Sequence, residues 1–194
     1  MKTIKKIVLV VVFMLVTLTN YANSLENHSR EFNAKKVSIV FKNVKKGHLL
    51  TVKNQAGIIL HSEKLERTGL VKKVFDFSSL SNGKYIVELN KDFEIIIKSF
   101  EVKKGLVFYN KSSEKRIFKP VIKSDENYLL VSKLNLDNDP VAITLYYENT
   151  VIYTETLTGD EFLERIYKLD ESITGNYKAV IKNKNRTYIK DFKF

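Results

Sequence analysis

The sequence predicts an all-β chain of two tandem small antiparallel β-sandwiches behind an N-terminal signal peptide. Three observations carry this. Short runs of alternating apolar and polar residues recur between Gly- and Asn-containing turns, at the close spacing of sandwiches and barrels. No segment holds a convincing helical period; Glu161–Ile166 comes nearest, and strand is still the better reading. Finally, Gly83 and Gly175 stand 92 residues apart, and that offset superposes much of the second half on the first.

Composition narrows the alternatives. Apolar residues make up 44% of the 194 and charged residues 28%, the balance of a folded chain rather than a disordered one. Ten Tyr and twelve Phe suit pleated faces. With no Cys, disulfides, thiol nucleophiles, cysteine zinc sites and a lipid-modified N-terminal cysteine are excluded. Stability must then come from burial. The net charge of +11 is unevenly spread: residues 25–124 carry 21 basic and 10 acidic side chains, residues 125–194 carry 9 and 12. Such a split favours an anionic partner on the first half, or contact between opposite halves; lysine used only for solubility is the plainer reading.

Taken in order, residues 1–24 read as the signal peptide. Lys2, Lys5 and Lys6 precede the ten apolar residues Ile7–Val16, too short for a span of about 20, and Ala22-Asn23-Ser24 offers a cleavage site before Leu25. A retained anchor is the alternative. Residues 25–35 are expected as a flexible lead, 36–103 as the first sandwich, 104–119 as a basic linker and 120–194 as the second sandwich. Within the first, Val37, Ile39 and Phe41 alternate with polar neighbours, and Leu49–Val52 begins the next strand. Asn54-Gln55-Ala56-Gly57 turns the chain into Ile58–His61. Leu70, Val74, Phe75 and Phe77 mark another strand, Ser81-Asn82-Gly83 turns into Tyr85–Leu89, and Phe93–Val102 closes the unit.

The shift of 92 places Ile59, Glu63 and Leu65 on Val151, Glu155 and Leu157. It places Phe75 on Tyr167, Tyr85 on Tyr177, and Ile97, Lys98 and Phe100 on Ile189, Lys190 and Phe192. Leu50 and Val52 match Ile143 and Leu145 better, one residue out of step. A slipped strand would turn core side chains outward, so the extra residue is expected in a turn. The repeated Gly83-Lys84-Tyr85 and Gly175-Asn176-Tyr177 read as structural: glycine relieves the turn, and the tyrosine ring covers it while its hydroxyl reaches a polar edge. An aromatic displayed for ligand stacking is the alternative for Tyr85 and Tyr177.

The census for chemistry yields no catalytic, metal or cofactor site. His28, His48 and His61 lack ligand spacing and read as surface histidines. Asp137-Asn138-Asp139 offers oxygens for Ca²⁺, but an Asx-rich turn explains it. Asp160-Glu161 and Asp170-Glu171 are neighbours in sequence, and neighbours on a strand point to opposite faces. The most distinctive surface is the expected linker, with Lys103, Lys104, Lys111, Lys115, Arg116 and Lys119 among Phe108, Tyr109 and Phe118. Cations interleaved with aromatics suit an anionic polysaccharide; a solvated linker is the alternative, and nucleic acid is not expected of an exported chain.

Asp76-Phe77-Ser78-Ser79-Leu80-Ser81-Asn82-Gly83-Lys84-Tyr85-Ile86-Val87-Glu88-Leu89, together with Asn54-Gln55-Ala56-Gly57 and Lys98-Ser99-Phe100-Glu101-Val102, resembles the C-terminal sorting domains of type IX secretion. These are small β-sandwich modules on exported proteins of Gram-negative bacteria. The resemblance covers residues 48–102 closely and 141–194 loosely. It implies an immunoglobulin-like sandwich fold and, for the last domain, an export signal. The expected function is that of an exported, non-enzymatic protein acting on a protein or cell-surface component, with no transmembrane segment after cleavage. The alternatives are a type IX substrate and an anionic-glycan binder.

Overall fold

The computed structural model describes residues 31–32, 36–109 and 113–194. The expected signal peptide, nearly all of the lead, His28 and Lys111 lie outside them. The described residues fold entirely as strands, turns and loops, with no α-helix.

The first half builds β1 (Glu31–Phe32), β2 (Lys36–Val44), β3 (Leu49–Asn54), β4 (Ile59–Lys64), β5 (Gly69–Asp76), β6 (Gly83–Asn90), β7 (Glu94–Lys103), β8 (Leu106–Tyr109) and β9 (Lys115–Phe118). One sheet runs β1-β8-β7-β6-β3-β4, with β9 also on β7, and the pair β2-β5 forms the other sheet. The second half builds β10 (Val121–Asp125), β11 (Tyr128–Leu134), β12 (Val141–Tyr147), β13 (Thr150–Leu157), β14 (Phe162–Lys168), β15 (Asn176–Asn183) and β16 (Arg186–Lys193). Its sheets run β13-β12-β15-β16 and β10-β11-β14.

The order β4-β3-β6-β7 therefore returns as β13-β12-β15-β16, and β2-β5 as β11-β14. Register carries the repeat to single residues. Leu50 lies opposite Leu89, and Ile143 opposite Ile181. Leu89 and Ile181 keep the offset of 92 while Leu50 and Ile143 differ by 93. The extra residue sits in the β3–β4 turn, where Gln55–Ile58 takes the place of Glu148, Asn149 and the first residue of β13, Thr150, in the second copy. Confined to a turn, it leaves both cores facing inward. Both copies also bulge at one equivalent place. Leu60 has no partner between the pairs Lys53–Ile59 and Val52–His61, nor has Ile152 between Tyr146–Val151 and Leu145–Tyr153.

Each sandwich fills its own core. In the first, Val37, Ile39 and Phe41 of β2 face Leu50, Val87, Leu89 and Phe100 across the sheets, and all are buried. In the second, Leu129 and Val131 face Ile143, Leu145, Ala179 and Ile181. An ion pair closes the open side of each sandwich. Lys73 of β5 meets Glu63 of β4 at 2.7 Å, and Arg165 of β14 meets Glu155 of β13 at 3.5 Å, again 92 residues on.

The basic linker expected at 104–119 is not a linker. Leu106–Tyr109 pairs with the C-terminal half of β7, Lys115–Phe118 with its N-terminal half, and Glu31–Phe32, placed in the flexible lead, adds to β8. The connecting chain between the sandwiches shrinks to Lys119-Pro120. These strands of two to four residues have little signal of their own and form because β7 offers an open edge of unpaired backbone groups. They also bury Lys98, whose amine meets Glu114 and lies 5.9 Å from the centre of the Phe41 ring. The counterpart, Lys190 on the uncovered edge strand β16, stays exposed.

The glycine–tyrosine turns are structural in both copies. The Tyr85 hydroxyl donates to the Ser81 carbonyl at 2.8 Å and the Tyr177 hydroxyl to the Ile173 carbonyl at 2.7 Å, with both rings buried. The ring over Gly175, however, belongs to Tyr147 of β12. A Cβ there would lie 2.7 Å from Tyr147 Cε2 and 2.9 Å from Glu148 Oε1, whereas a Cβ at Gly83 meets nothing. Both glycines hold positive φ, +156° and +159°. Gly175→Ala should therefore cost about 2–3 kcal/mol, backbone strain plus clash, and Gly83→Ala about 1 kcal/mol from strain alone. Urea unfolding of the two variants checks this; equal losses would refute the contact.

Candidate functional site

The basic residues singled out in the sequence do not converge. Lys103 and Lys104 lie at one end of β7 and Lys119 beyond the other, roughly 30 Å apart along a ten-residue strand. Lys103 pairs with Glu101 at 2.9 Å and Arg116 with Glu94 at 3.1 Å. The Lys119 amine donates to the Lys91 carbonyl, and burial pulls its pKa below the usual lysine range. Lys115 is exposed on β9. Of the interleaved aromatics, Tyr109 turns inward and stacks on buried Phe100 at 4.8 Å. Cations spread along an edge, with Lys103 and Arg116 engaged by carboxylates and Lys119 by a carbonyl, do not form one polyanion site.

The remaining candidates also acquire structural partners. His48, expected at the surface, is buried; its Nδ1 accepts from the Lys45 N–H at 3.0 Å and its Nε2 lies 3.4 Å from Asp92. His61 sits on β4 beside Glu63. In the Asp137-Asn138-Asp139 turn, Asn138 takes positive φ and both carboxylates face Lys184, at 3.5 and 2.5 Å. Asp170 accepts from the Ser172 N–H, and Glu171 from Asn127. Among the described residues no group of His, Asp or Glu is placed to hold a metal ion.

Two surfaces that no sequence motif marks stand out. The first is the junction between the sandwiches. On β6, Tyr85, Val87 and Leu89 face the core, so Glu88 points out of the sheet. There its carboxylate meets Lys53 of β3 at 2.5 Å and Arg186 of β16, 98 residues away, also at 2.5 Å. Burial opposes the charge on Glu88, but these two cations outweigh it and hold the carboxyl below the usual range. Nearby, the buried Lys133 amine donates to the carbonyls of Phe118 and Leu134, both at 3.2 Å, and desolvation lowers its pKa. These groups border a cleft of about 540 Å³ lined by Lys115, Asp137, Asp139 and Lys184. Five basic and three acidic side chains line it, and the Glu88–Arg186 pair across it makes it a seam between sandwiches.

The second surface is apolar and duplicated. β4 and β13 are edge strands at the same place in each sandwich, and β5 and β14 flank them across the open side. Ile59, Leu60, Leu70 and Val74 are 46–67% exposed; their counterparts at +92, Val151, Ile152, Phe162 and Ile166, are 48–65% exposed. Single exposed apolar residues are ordinary on a surface; the same four positions left bare in both copies form a pattern. At the second sandwich Ile152, Tyr153, Ile166 and Ile173 line a groove of about 500 Å³ floored by Leu145 and Tyr177. At its side Tyr167 donates to Glu155 at 2.5 Å, and burial, then this bond, drive the phenol pKa far up, so it stays a neutral donor.

A scan against protein-family models and a search of curated proteins both return no match for this chain.

Proposed function

We propose that the protein works by association, as an exported pair of sandwiches whose bare apolar edges bind a protein partner. The single observation behind this reading is the pairwise exposure of Ile59/Val151, Leu60/Ile152, Leu70/Phe162 and Val74/Ile166 beside edge strands. Edge strands are usually blunted by Lys, Pro or charge, as on β16 with Arg186, Lys190, Asp191 and Lys193. β13 carries no Lys, Arg or Pro, and its one acid, Glu155, is engaged by Tyr167. Export rests on residues 1–24, with their charged start and ten-residue apolar run.

The association is tested in extracts of cells producing the protein. Native size fractionation should place the wild type well above the monomer position. The combined variant Leu60→Lys, Ile152→Lys should fall to the monomer position with an unchanged thermal melt, since exposed substitutions shift stability by about 0.5 kcal/mol at most. Wild type running as a monomer would sink the association reading. A mature N-terminus at Leu25, found by mass spectrometry outside the cytoplasm, checks export.

A further inference from the structure

Accepting that the edges bind a protein, we infer that the partner is a second copy of this chain, joined head to tail. The β3–β4 hairpin of one copy seats its Ile58-Ile59-Leu60 run in the β13–β14 groove of the next. Three features of the molecule converge on this. First, the two surfaces differ in shape although they come from the same repeat. In the first sandwich, the one-residue-longer turn Gln55–Ile58 ends on Ile58 and so extends the exposed apolar run to Ile58-Ile59-Leu60; the second copy exposes Val151-Ile152-Tyr153 after its shorter turn. In the second, the tighter turn leads into a recess whose walls are Ile152, Tyr153 and Ile166. The longer hairpin thus belongs to the first copy and the groove to the second.

Second, the same element has opposite charge in the two copies. Residues 53–73 carry five basic and two acidic side chains, while the equivalent residues 145–165 carry one basic and five acidic. Like elements of this kind repel themselves and attract each other, which disfavours pairing hairpin to hairpin or groove to groove. Third, both bulges fall at the centre of the contact. A bulge re-aims one side chain and interrupts the ladder. Leu60 is re-aimed on the hairpin side and Ile152 on the groove side, so docking proceeds through side chains in a groove rather than by extending a sheet.

The contact is heterologous, since the surfaces that meet are different on each subunit. Such contacts close into a ring or continue as a filament. Each subunit keeps one vacant hairpin and one vacant groove until closure, so assembly depends on concentration. Salt weakens it through the opposite charges of the two surfaces.

Sedimentation velocity on the purified protein tests the inference. Wild type should show a sedimentation coefficient that rises with concentration and falls back when salt is raised. Leu60→Lys spoils the hairpin and keeps the groove; Ile152→Lys spoils the groove and keeps the hairpin. Each alone should remain monomeric, with affinity lowered roughly tenfold or more. An equimolar mixture of the two should form a dimer and nothing larger, because one sound hairpin then meets one sound groove. That recovery also shows that both variants are folded; Tyr153→Ala, which trims the groove without adding charge, serves as a second groove variant. A wild type monomeric at every concentration, a mixture that stays monomeric, or a single variant that still associates would each overturn the head-to-tail contact. If the cell-extract complex persists while the purified chain stays monomeric, the partner is a different protein, and only the identity of the partner is lost.

Discussion

Phe100→Ala is expected to remove about 3–5 kcal/mol from the first sandwich. The ring is 2% exposed, stacks on Tyr109 at 4.8 Å and lies 5.5 Å from Phe77. Alanine leaves a cavity among rings pinned by strands on both sides: Tyr109 is tied to β7 through β8, and Phe77 leads into the Tyr85 turn. Little collapse is open to them, so the loss should sit at the upper end of the range for aromatic truncations. The counterpart, Phe192, is only half-buried on the edge strand β16, and Phe192→Ala should cost about half as much. Urea unfolding followed by tyrosine fluorescence compares the two. Equal losses would mean that β8 and β9 do not cover β7 in solution.

Glu88→Ala is expected to be the most costly change at the seam. It leaves Arg186 and Lys53 facing each other, with 23% and 24% of their side chains exposed. Breaking a buried pair by removing one partner costs about 3–5 kcal/mol, and partial exposure reduces this to about 2–3 kcal/mol. The loss should fall on the coupling between sandwiches. A single unfolding transition of the wild type should broaden or split, and a double-mutant cycle with Arg186→Ala should show the interaction energy. The pH dependence follows from the direction of the shift. Because the folded carboxyl titrates below the ordinary glutamate value of about 4.3, its contribution is fully present above that value and fades as pH falls through the folded one. Glu88→Gln should therefore flatten the acid limb of the stability profile and leave its slope at neutral pH unchanged. An unaltered acid limb would show that Glu88 is not paired across the seam.

These positions also show how far the sequence was legible. Strand type and inward-facing residues were readable because a strand half-buried in a sandwich alternates with period two: Val37, Ile39 and Phe41 announce a core face. The repeat was readable because Gly83, Tyr85 and Phe100 recur at a fixed offset, and even the slipped register of Leu50 could be assigned to a turn. The linker failed because β8 and β9 are four residues each, too short for alternation to show. Glu88 was silent because its importance comes from Arg186, 98 residues away, and no local pattern records that meeting. The cationic set failed for a related reason: Lys103 and Lys119 are near in sequence, but β7 and its neighbours hold them far apart.

The sequence alone determined the all-β class, the twofold repeat, the cysteine-free reliance on burial and the residues that fill each core, because alternation and recurrence are local properties of the chain. The tertiary structure decided which edges are covered and which stand bare. An edge strand is defined by the neighbour it lacks. β8 and β9 closed the edge at β7, while nothing described in the chain closes β4 and β13, and it is there that the apolar side chains were left facing outward.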